Sequence, residues 1–401
     1  LYGTGYAITS QYDVFGRLTR EDRPDGGYTT YLYANLGNPA AQFVEKKEHI
    51  AGGSSPIDHY SDAFFDGLGR TYRVWSSGPE GKTIALDTGY DVIGRVSHRS
   101  NPYFAGIDTP VYTTFQYDGL SRITHTTSPD SGQVITSYQG LTRQVRDQNG
   151  HWSASTYDVH NRLRVTQDAC GIVTAYTYDT LGNLIQVAAA YGQSEQNVTA
   201  MTYDSMGKKR SMTDPDMGYW TYSYDKAGNL TSQTDAKGQT VAFTYDAINR
   251  LIQKVYPTHT VASTYDDPSV PYSKGMLTST LDPSGGETKE DSVLAFDIMQ
   301  RATGSQKTIG TSSITISKTY DTSGRTLTMT YGTNPQRSYG YVYDVAGNTV
   351  GLWDYTTSSY HVQYSGHTAS GQPTGALFPK PNTVSIRTSY TYDPYTMRLD
   401  T

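Results

Sequence analysis

The chain of 401 residues carries a formal net charge of -6 at pH 7, and its 36% hydrophobic share already counts the 36 tyrosines, so a thick aliphatic core is excluded. The acidic balance argues against nucleic acid, which needs a basic face, and one cysteine, Cys170, excludes an internal disulfide framework and a paired-cysteine zinc site. No run approaches the roughly 18 apolar residues of a membrane-spanning helix.

One short unit recurs along the chain. In order it appears at Tyr12-Asp13 with Gly16-Arg17, Phe65-Asp66 with Gly69-Arg70, Tyr90-Asp91 with Gly94-Arg95, and Tyr117-Asp118 with Ser121-Arg122. Next come Tyr157-Asp158 with Asn161-Arg162, Tyr178-Asp179 with Gly182-Asn183, Tyr203-Asp204 with Gly207-Lys208, Tyr224-Asp225 with Gly228-Asn229, and Tyr245-Asp246 with Asn249-Arg250. From Tyr157 to Tyr245 the spacing is nearly constant. Phe296 with Gln300-Arg301, Tyr320-Asp321 with Gly324-Arg325, and Tyr343-Asp344 with Gly347-Asn348 follow, and Tyr392-Asp393 has one extra residue before Arg398-Leu399. Weaker echoes stand at Tyr33 and Tyr265. A period of this kind means a repeat architecture, so residues 1–401 are expected to form one continuous array with no internal domain boundary.

Between these cores lies a second turn signal, Asp followed three residues later by Gly, as at Asp147, Asp168 and Asp235, with Pro-Asp variants at Pro24, Pro129 and Pro215. An Asp opening such a turn accepts backbone N–H groups two residues on, and Gly or Asn near its end tolerates positive φ. The stretches left between turns are about 5 to 6 residues rich in Thr, Val and Tyr, which is strand length and strand composition. Each unit is therefore expected to be a two-stranded antiparallel hairpin, and the fold all-β. Tyr157, Tyr178, Tyr224 and Tyr245 are expected to stack ring on ring along the sheet. Asp158, Asp179, Asp225 and Asp246 are expected to tie the turns, and Gly182 and Gly228 to close them; Tyr203, Asp204, Tyr320, Asp321, Tyr343 and Asp344 are structural residues of the same repeat signature.

The motif Tyr-Asp, two residues, Gly, Arg or Asn, then Leu, repeated from Tyr12 to Leu399, resembles that of the YD-repeat (Rhs) proteins. That family includes bacterial polymorphic toxins, the B and C subunits of insecticidal toxin complexes, and animal teneurins. The resemblance implies a continuous curved sheet, part of a spiralling hollow shell, which in bacterial members encloses a C-terminal toxin segment of the same or an associated polypeptide. It also implies a secreted or cell-surface location and a piece of a longer protein. The Asp-Pro-x-Gly-Leu self-cleavage motif of the toxin members is not completed at Asp282-Pro283-Ser284-Gly285-Gly286 or at Asp393-Pro394-Tyr395. Roughly 13 to 19 hairpins at about 4.8 Å per strand make a strip on the order of 125 to 180 Å long, about one turn around a lumen of roughly 20 to 30 Å radius.

The sharper chemical readings are weaker. His49, His59, His151, His160, His361 and His367 are scattered, and no metalloprotease or nucleophile-elbow motif is present. Asp214 with Asp216, or Asp266 with Asp267, are the carboxylate pairs a glycosidase or a calcium site would use, yet Asp is the turn residue of every unit. The expectation is a scaffold rather than an enzyme, with no cofactor and no metal. The rival reading is adhesion or carbohydrate binding, for which Trp75, Trp152, Trp220 and Trp353 are the candidate stacking rings.

Overall fold

The computed structural model describes residues 7–53, 56–332, 336–380 and 384–400. It contains 34 β-strands, from Thr9–Tyr12 to Ile386–Ser389, and no α-helix among the described residues. Each strand pairs antiparallel with the next in sequence, so the chain lays down one sheet as a meander. One interruption occurs: Val96–Ser100 and Tyr103–Phe104 both lie beside Thr83–Tyr90, two halves of one long strand broken at Asn101-Pro102. Pro102 has no N–H to give the ladder.

Both turns of a unit are built alike. At Asp158 the backbone closes with Asp158 N–H to Arg162 O at 2.9 Å and Asn161 N–H to Asp158 O at 3.0 Å. At Asp168 the same pair runs from Asp168 to Ile172 O and from Gly171 to Asp168 O, both 3.0 Å. This is the three-residue hairpin loop that needs its last residue in the left-handed region. The motif turns add a bulge: Thr156 faces Val165 but Tyr157 faces Leu163, leaving Arg164 unpaired. The same register shift occurs at Tyr12, Tyr90, Tyr178, Tyr203, Tyr224, Tyr245, Tyr320 and Tyr343. Because strands alternate in direction, the Tyr-Asp turns all fall on one rim of the strip and the remaining turns on the opposite rim.

The strip coils until its rims meet. Opposite-rim turns near the start of the chain dock on Tyr-Asp turns near its end: Asp25 pairs with Arg301 at 3.4 Å, and Thr322 N–H donates to Ala51 O at 3.0 Å. Ala51 N–H donates to Thr322 Oγ1 at 2.9 Å, the His59 ring meets Val345 O at 3.0 Å, and Asn101 Nδ2 donates to Tyr395 O at 3.0 Å. The approach is close enough that a Cβ on Gly27 would lie 2.6 Å from Thr322 Cβ. The third to the twenty-sixth of the 34 strands lie between Asp25 and Arg301. About 24 strands at about 4.8 Å give a circumference on the order of 115 Å, hence a backbone radius of about 18 Å. The ring is tighter than the one expected from sequence, because less than the whole strip makes one turn.

Among the described residues no thick core forms. The buried apolar side chains are few and dispersed, among them Ile50, Ala85, Phe104, Ala188 and Phe296. The seam buries polar groups instead, with Asp321 only 1% exposed.

Candidate functional site

The repeated chemistry sits in the motif turn and its grip on the neighbouring hairpin. Asp158 Oδ1 accepts from His160 N–H at 2.9 Å and Arg162 N–H at 3.0 Å, while Oδ2 takes Arg162 Nε at 2.7 Å. Asp246 repeats this set with Ile248 and Arg250, and Asp321 with Ser323 and Arg325. Where Asn replaces Arg, its Nδ2 takes over: Asn183 on Asp179 at 2.8 Å, Asn229 on Asp225 at 3.0 Å, and Asn348 on Asp344 at 3.0 Å. Asp204 binds the N–H groups of Met206 and Lys208, both at 2.9 Å. The Arg162 N–H, followed by its guanidinium, lowers the Asp158 carboxyl to about 2. The Asn229 amide group and backbone N–H hold Asp225 below the ordinary carboxylate range. Every lone pair so used is committed to the turn. Gly182 and Gly228 occupy the left-handed position at φ 90° and 93°.

The tyrosines link one unit to the next. Tyr178 donates its hydroxyl to Leu163 O at 2.9 Å, and Leu163 directly follows Arg162, whose guanidinium lies 5.0 Å over the Tyr178 ring. The same offset holds for Tyr203 to Leu184 O, Tyr245 to Leu230 O, Tyr320 to Ala302 O and Tyr343 to Thr326 O, at 2.8 to 3.0 Å. Lys208 lies over Tyr224, Arg301 over Tyr320 and Arg325 over Tyr343. Tyr157 ends its strand with its own N–H on Leu141 O at 3.0 Å. At Tyr178, Tyr224, Tyr320 and Tyr343 a cation therefore covers the ring, where sequence reasoning expected ring upon ring. Where the residue four positions after the Asp is basic, it is in reach of the next ring, and attraction to the ring face favours it there.

Sequence reasoning also missed a unit. Tyr138 stands midway between Tyr117 and Tyr157, where the repeat spacing calls for a motif tyrosine. It carries Arg122 4.1 Å over its ring and donates to Ile123 O at 3.2 Å, although Gln139 replaces the Asp. The spacing was the available signal; the missing acid hid it.

The proposed acid pairs are turn elements as well. Asp214 accepts from Asp216 N–H, Met217 N–H and Thr199 Oγ1, and Asp266 binds Arg250 and Gly275 N–H. Asp267 binds Ser269. Among the described residues no group of three or more His, Cys, Asp or Glu is placed to hold a metal ion.

The four tryptophans do not come together. Trp75 packs edge-on against Phe64 at 4.9 Å and Trp353 edge-on against Tyr360 at 4.9 Å. Trp220 donates its Nε1 to Met217 O at 3.0 Å. Trp152 alone of the four is open, 47% exposed, at the side of a groove of about 290 Å³ lined by Gln144, Ala154, Gln167 and Asp168.

The RHS Repeat family model matches residues 157–194 and 220–261. No curated protein matches the chain. Among solved structures, a crystal structure of TcdB2-TccC3-TEV superposes with a TM-score of 0.75 at 16% identity, covering 92% of this chain and 22% of that one. TcdB2-TccC3 without its hypervariable C-terminal region gives 0.76 at 16% identity, covering 91% and 22%. The Photorhabdus luminescens Tc holotoxin pore gives 0.74 at 15%, covering 89% and 21%. The chain thus spans about a fifth of the length of the structures it resembles. The family model, the motif turn in unit after unit and the shared coiled-sheet fold agree: residues 157–194 and 220–261 match RHS repeats, and the described hairpins on either side are built on the same turn.

Proposed function

We propose that this coiled sheet is a length of shell wall that encloses a polypeptide, a C-terminal toxin or another segment of its own or an associated chain. The observation that carries this reading is the seam, which turns an open strip into a closed circuit around a lumen of about 18 Å backbone radius. The names of the similar structures, a holotoxin pore and a complex solved without its hypervariable C-terminal region, support the same reading. The wall performs no reaction in this account. It holds proteases and targets away from its contents, as one array from end to end, on a protein that is secreted or displayed at the cell surface. The test is limited proteolysis of the natural product of the gene that carries this sequence. A non-repeat segment should resist trypsin while the wall is folded and be cut once mild urea opens the seam; equal cutting in both states would refute enclosure.

A second reading, carbohydrate binding, has the Trp152 groove in its favour. Ala154 sits between Gln144 and Gln167 across the strands, a small residue flanked by two amides, with an open indole beside it. A glycan array on wild type and Trp152→Ala tests it: specific binding lost in the variant with an unchanged circular dichroism spectrum supports adhesion, and no binding removes it.

A further inference from the structure

The closed seam holds a cavity of about 390 Å³. One wall is the opposite-rim turn with Ile50, Gly52 and Ile57; the other is the sheet with Leu327 and three large rings, Trp353, Tyr355 and Tyr360. The walls touch beside it, since a Cβ on Gly52 would lie 3.2 Å from Leu327 Cδ1. Both walls consist of described residues, and the size falls in the range of small-molecule sites, roughly 300 to 1,000 Å³.

Three departures from the repeat meet at this point. Gly340 and Gly351 stand in strand interiors, where glycine weakens a strand and marks a close approach. Rings make that approach: a Cβ on Gly340 would lie 2.9 to 3.1 Å from the Tyr355 phenol, and one on Gly351 would lie 2.7 Å from Tyr360 Cε1. The third departure is a register shift between Leu352 and Trp353, away from any Tyr-Asp turn, which puts Tyr360 rather than His361 opposite Trp353. Bulges re-aim side chains in this way beside functional sites. Gly340 faces Trp353 and Gly351 faces Val342, so the glycines and the indole share one face of the sheet.

The chemistry of the walls selects the ligand. The two charged residues of the cavity are committed to each other, Asp321 accepting from Ser323 N–H, Arg325 N–H and Arg325 Nε. Thr319 and Thr328 bond to each other at 2.7 Å. What remains are aliphatic and aromatic faces and three polar ring edges. Trp353 Nε1 and the hydroxyls of Tyr355 and Tyr360 make no hydrogen bond among the described residues. A ligand matched to these groups is uncharged, has an apolar face to lie on a ring, and is edged with hydroxyls.

We infer that this cavity is a binding site for a neutral pyranose sugar. Its C–H face lies in the corner that Trp353 and Tyr360 make, ring centroids 4.9 Å apart and planes at 87°, and its hydroxyls meet the three ring edges. A sugar held there touches both sides of the seam, so binding and closure favour one another. The site rests neither on enclosure nor on the Trp152 groove, and the failure of either leaves it standing.

The test is saturation-transfer NMR and calorimetric titration of the purified chain with maltose, cellobiose and diacetylchitobiose. Wild type and Trp152→Ala are titrated side by side, and the response that survives Trp152→Ala belongs to the cavity. At least one sugar should bind in both, about tenfold more weakly once Trp353→Ala is added and about threefold more weakly with Tyr360→Phe, which keeps the ring. The same sugar at saturation should bring the radius of gyration of Thr322→Val, a seam variant, back toward the wild-type value. Where circular dichroism shows that Trp353→Ala does not fold, Tyr360→Phe and the scattering decide. No sugar bound in Trp152→Ala overturns the inference, and so does binding that Tyr360→Phe leaves unchanged. Binding of N-acetyltryptophanamide in place of the sugars overturns it too, and marks the cavity as a seat for a polypeptide side chain.

Discussion

Replacing Tyr178 by Phe and by Leu separates the two bonds that tie one hairpin to the next. Phe keeps the ring beneath the Arg162 guanidinium and removes only the hydroxyl that reaches Leu163 O at 2.9 Å. The net loss for one such bond is about 1 kcal/mol. Leu removes the ring as well, and a half-exposed cation–ring contact adds about 0.5 to 1 kcal/mol, for a total of about 2 kcal/mol. Two native units show that the ring alone suffices for folding, since Phe65 and Phe296 hold the tyrosine position and Phe296 is buried. An array of neighbours opens locally, so amide hydrogen exchange over Leu163–Gln167 and Val173–Tyr178 is the assay. Protection there should fall about fivefold for Phe and up to about thirtyfold for Leu, with distant strands unchanged. Equal protection in all three proteins would refute the inter-unit role of the tyrosine, and equal loss in both variants would refute the ring's share.

Gly182 should accept Asn with little change, because Asn161 and Asn249 hold the same turn position at φ 60° and 65°, whereas Val there should lose about 1 to 2 kcal/mol in urea denaturation. Acid should loosen the motif turns. Asp158 titrates near 2 when folded against about 3.9 when unfolded, so its stabilisation is complete above pH 4 and disappears as pH falls toward 2; exchange at 159–162 against pH reads the loss. Thr322→Val leaves Ala51 N–H without its acceptor in a buried seam and should weaken closure by about 1 to 3 kcal/mol, seen as a larger radius of gyration in X-ray scattering. Duplicating residues 224–244 adds one hairpin inside the circuit. If local bend sets the circumference, an Asp25→Cys/Arg301→Cys disulfide that forms in the parent will not form in the duplicate; if seam contacts set it, the bond will persist.

The fold was legible because its signals are local. Asp158, Gly182 and Arg162 lie within one hairpin or its neighbour, and turn chemistry plus strand-length gaps specify a meander without long-range information. Ring-on-ring stacking was the wrong inference from the same residues. An abundance of tyrosine suggests aromatic columns, but Tyr178, Tyr224, Tyr320 and Tyr343 each have a guanidinium or ammonium from the preceding unit over the ring, and a cation there displaces a second ring. The seam was illegible: Asp25 and Arg301, or Asn101 and Tyr395, are joined only after two dozen small bends accumulate, and no local pattern counts them. Thr322 looks in sequence like any variable turn residue, and only the closed circuit makes it a bonded one.

A turn completed by about two dozen strands means that each hairpin bends the sheet by roughly a twelfth of a circle, in a single layer with no core to impose it. The source has to recur along the strip and act in one sense. The bulge opposite most motif tyrosines meets both conditions, since an extra residue such as Arg164 on one strand bends that strand and increases its right-handed twist; the hairpins of Tyr33 and Tyr138 run in even register. Plain Asp-x-x-Gly turns have no such shift; the ladder from Val165–Ala175 to Gln167–Val173 runs in even register. Curvature therefore enters mainly at the Tyr-Asp side, where the Tyr hydroxyl and the overlying cation fix the bulged strand to the next hairpin; one further shift, between Leu352 and Trp353, lies on the opposite rim. On this account the motif owes its repetition to the sum of the bends: a unit that loses its bulge still makes a hairpin, but every seam contact beyond it moves off its partner.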